Sequence, residues 1–253
     1  MRFCRFRQEG KDYYGKIIGE EVVPLHAPPW NNGQPFGKRQ QLRLVQLLAP
    51  SDASKVVAVG LNYRRHAEEM GKPIPAEPLL FLKPSTALNS PGHPILLPRE
   101  SEEVHHEAEL ALVIGARLHH ASQQEATSAI FGLTCFNDVT ARDLQRRDVQ
   151  YTRAKGYDTF APAGPWIQTG ISWADLRILC RVNGQVRQDG QTSDMIFSPP
   201  RLVSFISGVM TLLPGDIVTT GTPPGVGRLV AGDLVEVEIE GIGTLASPVH
   251  LGS

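Results

Sequence analysis

Short apolar runs rich in β-branched residues dominate the chain from Val56 onward, and they predict strands. Many are bounded by Gly or Pro, and Asn183-Gly184 is a dipeptide preferred in tight β-hairpins. The pattern indicates curved or barrel-like sheets. The runs are VVAVG (56–60), LLFLK (79–83), ILLP (95–98), ELALVIG (109–115), IVTTG (217–221) and LVEVEIEG (234–241).

Few stretches have a helical pattern, and the 24 glycines and 20 prolines favour turns over long helices. We therefore predict a mostly β fold with peripheral helices, of the α+β class. The four predicted helices are roughly Tyr63–Met70, Gln123–Ile130, Ala141–Tyr151 and Pro200–Met210.

The beginning of the chain differs from the rest. Alternating runs at Met1–Arg7 and Asp12–Ile18 predict a small antiparallel unit with a turn at Glu9-Gly10. A stretch rich in Pro, Gly and Asn follows at positions 26–40 and predicts a loop. We expect a small N-terminal β domain at residues 1–48 and a larger domain at 49–253.

Charge and cysteine content narrow the function classes. With 25 basic and 26 acidic residues the net charge is −1, which disfavours binding to nucleic acid or an anionic membrane. The partner we expect is a small molecule.

Cys4, Cys135 and Cys180 lack CxxC spacing, which disfavours a disulfide framework. The chain has no signal-like N-terminus and no long apolar window, so we expect a cytoplasmic protein without a membrane span.

Two carboxylates precede the apolar part of one predicted strand. Glu107 and Glu109 lie two apart, so their side chains point to the same face. Paired carboxylates repel unless a cation lies between them, and that cation can be a metal ion or an Arg or Lys side chain. The Glu-x-Glu spacing alone leaves both alternatives open.

Asp138 favours the metal. It follows the apolar run FGLTCFN, where a strand ends, and three carboxylates at strand ends suit Mg²⁺ or Mn²⁺. His105 shares the strand parity of Glu107 and Glu109, so a site with a histidine ligand and a softer metal also stays open at this point.

Acid–base candidates lie elsewhere. His66 and Glu69 stand three apart on one face of a predicted helix, where the carboxylate could orient the imidazole as a general base. An exposed His–Glu pair is the alternative.

Lys155, next to a Gly-containing loop, could stabilise an oxyanion or be an ordinary surface lysine. GTPPGVG (221–227) lacks the features of a phosphate-binding P-loop and predicts a tight loop that brings Thr222 and backbone N–H groups to a ligand.

Seven motifs follow one another along about residues 55–250: VGLNYRRHAEEMG, EPLLFLKPSTAL, HHEAELALVIG, FNDVTARDLQ, RAKGYDTFAPAGP, NGQVRQDGQTSDMIF and GDIVTTGTPPGVG. Taken together, they resemble the fumarylacetoacetate hydrolase superfamily. The resemblance is strongest to the compact branch with acylpyruvate hydrolases, oxaloacetate decarboxylases and 2-hydroxyhepta-2,4-diene-1,7-dioate isomerases. It implies a mixed β-sandwich roll, Mg²⁺ or Mn²⁺, and a homodimer.

The resemblance also implies roles for single residues. Metal ligands are implied at Glu107, Glu109 and Asp138. A catalytic dyad on a short lid helix is implied at His66 and Glu69, and Lys155 matches the lysine that supports the enolate or oxyanion. Substrate contacts are implied at Arg142, Gln145 and Thr222. His105 matches a position that is not a ligand in the family, so the softer-metal alternative falls away.

The expected activity is metal-dependent cleavage of small 2-oxo acids. It is hydrolysis of the C–C bond of acylpyruvates, decarboxylation of oxaloacetate, or both. Alternatives are an isomerase or decarboxylase of 2-hydroxyhepta-2,4-diene-1,7-dioate-type diacids and a fumarylpyruvate hydrolase. A binding protein that has lost its chemistry would lack members of the triad or dyad, whereas all of them are present.

Overall fold

Strands make up most of the regular structure in the computed structural model, which describes residues 1–252. The strands are β1 (Arg2–Gln8), β2 (Lys11–Ile18), β3 (Glu21–Leu25), β4 (Gln40–Gln41), β5 (Gln46–Leu48), β6 (Val56–Gly60), β7 (Leu79–Lys83), β8 (Leu88–Asn89), β9 (Ile95–Leu97), β10 (Val104–His106), β11 (Ala108–Ile114), β12 (Ile130–Asn137), β13 (Thr140–Ala141), β14 (Ala161–Gln168), β15 (Arg177–Val182), β16 (Gln185–Gln191), β17 (Ile217–Thr219), β18 (Gly227–Arg228), β19 (Leu234–Ile239) and β20 (Gly243–Leu251).

Five α-helices lie among the strands of the described chain: α1 (Arg64–Glu69), α2 (Gln123–Ala129), α3 (Arg142–Asp148), α4 (Thr152–Gly156) and α5 (Pro199–Val209). Ser122 and Glu125 form a capping box at the start of α2. In α5 the first-turn prolines cost no hydrogen bond, because the first N–H groups of a helix have no partner within it. The mostly β fold with peripheral helices is therefore confirmed.

The structure has two helices where the sequence predicts a single one. The stretch expected as one helix over Ala141–Tyr151 ends at Asp148, and a second helix, α4, carries Lys155. Val149 breaks the helix with a positive φ of 62°. The sequence there contains no Gly or Pro that would signal such a break. Lys155, predicted next to a Gly-containing loop, lies inside α4, one residue before its last residue.

The strands form one large and two smaller sheets. The large sheet has twelve strands in the order β4-β3-β2-β1-β14-β12-β11-β17-β6-β7, with β5 added on β1 and β8 on β14. A five-stranded sheet has the order β16-β15-β19-β20-β9, and a three-stranded one the order β13-β10-β18. The main core lies where strands of the large and five-stranded sheets pack together, as β14 does with β20 and β12 with β19.

Strand β11 lies inside the large sheet, between β12 and β17, and all seven of its residues are buried. Burial on both faces explains why its sequence reads as a continuous apolar run after Glu109. The predicted hairpin at Asn183-Gly184 joins β15 to β16, and both turn residues have positive φ. That combination is the one a tight two-residue hairpin requires.

The N-terminal strands continue the large sheet. Strand β1 pairs with β14 through Arg2 and Phe3 as well as with β2. This unit also has its own apolar cluster of Cys4, Phe6, Ile17 and Val22. The division into domains at residue 48 stays a prediction.

Within residues 1–252, no helix is long and apolar enough to cross a membrane.

Candidate metal centre and active site

Three buried carboxylates meet where β11 begins and β12 ends. Glu107 and Glu109 flank Ala108, the first residue of β11, and Asp138 directly follows β12. The antiparallel pairing opposes Ala108 and Asn137, and the Asp138 N–H donates to the Glu107 carbonyl at 2.9 Å. One oxygen of each carboxylate lies within 4.8 Å of the others. The structure therefore brings the three predicted metal ligands together.

Cationic side chains surround two of these carboxylates. Lys155 Nζ lies 3.0 Å from Glu107 Oε2 and 2.5 Å from Asp138 Oδ2. The guanidinium of Arg142 donates to Glu107 Oε1 and, at 2.7 Å, to Gln145 Oε1. Burial acts to raise the pKa of Glu107, but the charges of Lys155 and Arg142 outweigh it, so this pKa lies below its ordinary value.

Glu109 has a different environment. Its Oε2 accepts a hydrogen bond from the Gly221 N–H at 2.9 Å, and none of the ion pairs in the described chain reaches it. Burial, followed by repulsion from Asp138 and Glu107, raises its pKa well above the ordinary value. This carboxylate lacks a positive partner, and a divalent cation would supply one. The oxygen-only donor set fits Mg²⁺ or Mn²⁺.

The predicted dyad is formed at one end of helix α1. His66 Nδ1 lies 3.0 Å from Glu69 Oε2. Because a carboxylate only accepts, Nδ1 is the donor in this pair, and Nε2 is the ring nitrogen left for a substrate or water. Glu69 also accepts the backbone N–H of Gly225, at 3.0 and 3.3 Å to its two oxygens. The dyad thereby fastens α1 to the 221–227 loop.

A cavity of about 560 Å³ joins these groups. Its other walls include apolar side chains from β6, β7 and the end of α1, such as Val59, Phe81 and Met70. Eight of the nine predicted site residues line it, and the ninth, Glu69, contacts His66. The eight are His66, Glu107, Glu109, Asp138, Arg142, Gln145, Lys155 and Thr222. The structure thus places all nine in or beside one cavity, while their individual roles stay predictions.

Thr222 lies in the cavity wall with its hydroxyl engaged. It donates to the Ala108 carbonyl at 2.8 Å and accepts from Gln188 Nε2 at 2.7 Å. Two N–H groups of the same loop point at carboxylates of the site, Gly221 at Glu109 and Gly225 at Glu69. His105 also lines the cavity, but its Nε2 faces Glu103 at 3.2 Å and it is outside the carboxylate cluster.

Two residues of the site were missed in the sequence. Lys83 is fully buried and donates to Asp138 Oδ1 at 2.6 Å and to the Val139 carbonyl at 3.1 Å. A lysine directly ending the apolar run LLFLK was the available signal. Gln188 is buried in the polar strand QVRQDGQ, where no apolar alternation marks the inward face. Only Gly190, two positions on, hints at a close approach there.

Comparison with known families covers nearly the whole chain. Residues 55–250 match the family described as "Fumarylacetoacetate (FAA) hydrolase C-terminal". Residues 1–50 match the family described as "Rv2993c-like, N-terminal".

Similar proteins include enzymes of more than one type. The chain is 44% identical to the mitochondrial oxaloacetate tautomerase FAHD2A of Bos taurus, over 81% of this chain and 69% of that protein. It is 45% identical to the crystal structure of 2-hydroxyhepta-2,4-diene-1,7-dioate isomerase from Mycobacterium marinum, with a TM-score of 0.93, covering 100% of this chain and 99% of the other.

A third similar protein has been solved with a metal. Maleylpyruvate hydrolase from Sphingobium sp. SYK-6, in complex with manganese(II) and pyruvate, is 31% identical with a TM-score of 0.83, and the match covers 100% of both chains. The region that matches this family, residues 55–250, contains the carboxylate cluster and the dyad described above. This chain belongs to the fumarylacetoacetate hydrolase family, whose members include hydrolases, isomerases and tautomerases of small oxo acids.

Proposed function

We propose that this protein is a divalent-metal-dependent enzyme that hydrolyses the C–C bond of acylpyruvates, decarboxylates oxaloacetate, or does both. The observation that carries the proposal is the buried carboxylate cluster, in which Glu109 lacks a cationic partner, facing the same cavity as His66. The family and the named activities of its relatives support an oxo-acid substrate.

Glu107, Glu109 and Asp138 would hold Mg²⁺ or Mn²⁺, which when bound supplies positive charge against the negative charge that develops on the oxo acid. The remaining steps belong to the side chains. Lys155 and Arg142 add fixed positive charge beside Glu107, and they hold its carboxylate in place. In a buried site such preorganised charge stabilises an anionic transition state strongly.

His66 would act as the general base in hydrolysis. Its Nε2 takes a proton from water as the water oxygen bonds to the distal carbonyl carbon, and Glu69 stabilises the imidazolium. The C–C bond then breaks, its electron pair passes to the pyruvate fragment, and the proton on Nε2 is available to protonate that fragment. The products are pyruvate and a carboxylic acid.

Decarboxylation needs no attacking water. Carbon dioxide leaves oxaloacetate, and the electron pair of the broken bond stays on the same pyruvate fragment. The charged side chains serve both reactions, whereas His66 as a water activator serves only hydrolysis.

The test is a turnover screen with oxaloacetate, acetylpyruvate and fumarylpyruvate, followed at pyruvate and CO₂, with Mg²⁺, Mn²⁺ or EDTA. We expect turnover that EDTA abolishes and that Glu107→Gln reduces to background. His66→Ala should suppress hydrolysis more than decarboxylation. Unchanged rates in EDTA would contradict the metal dependence, and equal losses in both reactions would contradict the role of His66.

A second candidate is isomerisation or decarboxylation of a 2-hydroxyhepta-2,4-diene-1,7-dioate-type diacid. Lys72 lines the cavity, and no ion pair occupies it in the described chain, so it offers a partner for a second carboxylate. The M. marinum relative supports this alternative by its name. The diacid belongs in the same screen, followed also by its ultraviolet absorbance, because isomerisation releases neither pyruvate nor CO₂. Faster turnover of the diacid than of any pyruvate derivative would favour this candidate.

A further inference from the structure

Gln188 is a buried amide whose hydrogen-bonding groups are all used. Its Oε1 accepts from the Ala108 N–H and from His106 Nδ1, both at 3.0 Å. Its Nε2 donates to Thr222 Oγ1 at 2.7 Å and to the Pro223 carbonyl at 2.8 Å. These contacts exhaust the two acceptor and two donor positions of a glutamine amide.

The orientation of this amide is fixed by its partners. The Ala108 N–H can only donate, so the amide oxygen must face β11. The Pro223 carbonyl can only accept, so the amide nitrogen must face the 221–227 loop. A flipped amide would leave both backbone groups opposed by a like group, and buried polar groups without partners are costly.

One end of the amide is bonded to the strand of the carboxylates. Ala108 lies between Glu107 and Glu109, and its N–H is the group that Gln188 accepts. The carbonyl of Ala108 is in turn bonded by Thr222, the other partner of the amide. The side chain is therefore attached to the segment that supplies two of the three predicted metal ligands.

The other end is bonded to the loop that fastens the dyad. The loop lies against β16 with almost no intervening side chain: a Cβ on Gly225 would lie 2.2 Å from the Arg187 carbonyl oxygen. Likewise, a Cβ on Gly190 would lie 2.4 Å from Pro223 Cβ. Seated in this way, Gly225 directs its N–H to Glu69. The position of the loop on β16 thus determines whether Glu69 has this partner.

We propose that Gln188 is a positioning residue that couples the carboxylate strand to closure of helix α1 over the cavity. It acts by holding the 221–227 loop where Gly225 can bind Glu69, which in turn orients His66. The expected loss of kcat rests on the proposed function. The expected loosening of helix α1 rests on the contacts of Gln188 alone.

The experiment uses two variants of Gln188 and a matched control. Gln188→Met keeps the length of the side chain and removes all four hydrogen bonds. Gln188→Glu keeps acceptors for Ala108 and His106 but cannot donate to Thr222 or Pro223. Gln191→Met makes the same change at an exposed position of the same strand.

We expect both Gln188 variants to lower kcat for acylpyruvate hydrolysis about 10- to 100-fold, as displacement of a supporting group does, with a smaller change in KM. Mn²⁺ affinity should change far less than kcat. Hydrogen exchange at the Gly225 amide and in helix α1 should accelerate in both, and Gln191→Met should match the wild type in every measurement.

A folded Gln188→Met protein with wild-type kcat and wild-type exchange at Gly225 would overturn the proposal. If that variant does not fold, Gln188→Glu decides by the same two readouts. If Gln188 had a purely structural role, its substitution would lower the melting temperature and leave kcat and exchange at Gly225 unchanged. If the wild type turns over no oxo acid, the proposed function fails, while exchange measured with Mn²⁺ and oxalate still decides whether Gln188 controls α1.

Discussion

Lys83 and Lys155 each place an ammonium group on one oxygen of Asp138. Burial lowers the pKa of Lys83. For Lys155 burial acts in the same direction, but the charges of Asp138 and Glu107 outweigh it and raise the pKa. Lys155 touches two predicted metal ligands, whereas Lys83 touches one and a backbone carbonyl. The two lysines therefore differ in position: Lys155 lines the cavity, whereas Lys83 lies outside its wall and binds the other oxygen of Asp138.

Lys83→Met should destabilise the metal-free protein by about 1.5–3 kcal/mol, because buried Asp138 loses one of its two ammonium partners while Lys155 remains. Added Mn²⁺ should restore part of this loss, since the ion compensates the same charge. Denaturant unfolding with EDTA and with Mn²⁺ measures both effects.

The control for this prediction is Lys55→Met, which breaks the ion pair with buried Asp216 away from the cavity. It should also destabilise the protein, but without a larger response to Mn²⁺ than the wild type. Equal stabilisation of the two variants by Mn²⁺ would show that Lys83 does not serve the metal centre.

The cysteines give a second residue-scale prediction. Burial raises the pKa of Cys4, Cys135 and Cys180 to about 12, so almost no thiolate exists near neutral pH. A thiol reagent such as Ellman's should therefore not react with the folded protein at pH 8 and should find three thiols once denaturant unfolds it. Rapid reaction of any thiol in the native state would contradict this.

At the residue scale, the sequence predicted those site residues whose side-chain chemistry and sequence motif point to the same role. The carboxylates, the dyad and Lys155 lie in recognisable sequence motifs, and the structure brings them together. Lys83 and Gln188 could not be predicted from local pattern, because their importance comes from partners such as Asp138 and Ala108, far away in the chain.

Helix α1 illustrates how an element depends on its surroundings. It has six residues and no side-chain cap, and helices this short are unstable in isolation. The contacts that hold it include the hydrogen bond between Glu69 and Gly225 and, directly before the helix, a bridge between Tyr63 and Met195. Few tertiary contacts therefore decide whether it covers the cavity.

The segment Leu61–Pro75 should accordingly be mobile without ligand and ordered with one. We expect fast amide exchange there in the apo protein, compared with slow exchange in the buried strand β11, and clear protection with Mn²⁺ and oxalate. Hydrogen exchange followed by mass spectrometry resolves the two segments. Equal exchange with and without ligand would contradict a lid.

Helix positions were predictable to within a residue or two where apolar spacing and turn residues agreed, as in α2 and α5. The break at Val149 was not, because it depends on a backbone conformation that valine rarely adopts. Arg153, in α4, binds Asp148 on the other side of the break.

At the scale of the molecule, the N-terminal strands cover part of the edge that β14 would otherwise present. Without β1, the Ile167–Gln168 end of β14 would become an exposed edge of the large sheet, and exposed edges promote aggregation. Trp30 also packs against Phe131, with ring centroids 5.7 Å apart. We therefore expect a fragment without residues 1–48 to aggregate, which light scattering would detect. A monodisperse, folded 49–253 fragment would contradict this and show that the larger domain folds independently.

The homodimer stays a prediction at this scale. Strand β7 lies at the other edge of the large sheet and exposes 40% of Leu79 and 47% of Leu82. A second subunit would cover such leucines. Light scattering of the full chain should give twice the chain mass of 27.7 kDa, and a monomer at micromolar concentration would contradict the prediction.

The bond between Glu69 and Gly225 spans 156 positions, and this separation has a consequence for synthesis on the ribosome. Glu107, Asp138 and Lys155 leave the exit tunnel well before Gly225 does. A nascent chain can therefore gather its carboxylates and their lysines while the helix above them still has nothing to hold it. The contact that holds α1 over the cavity can therefore form only after the chain has been synthesised as far as Gly225.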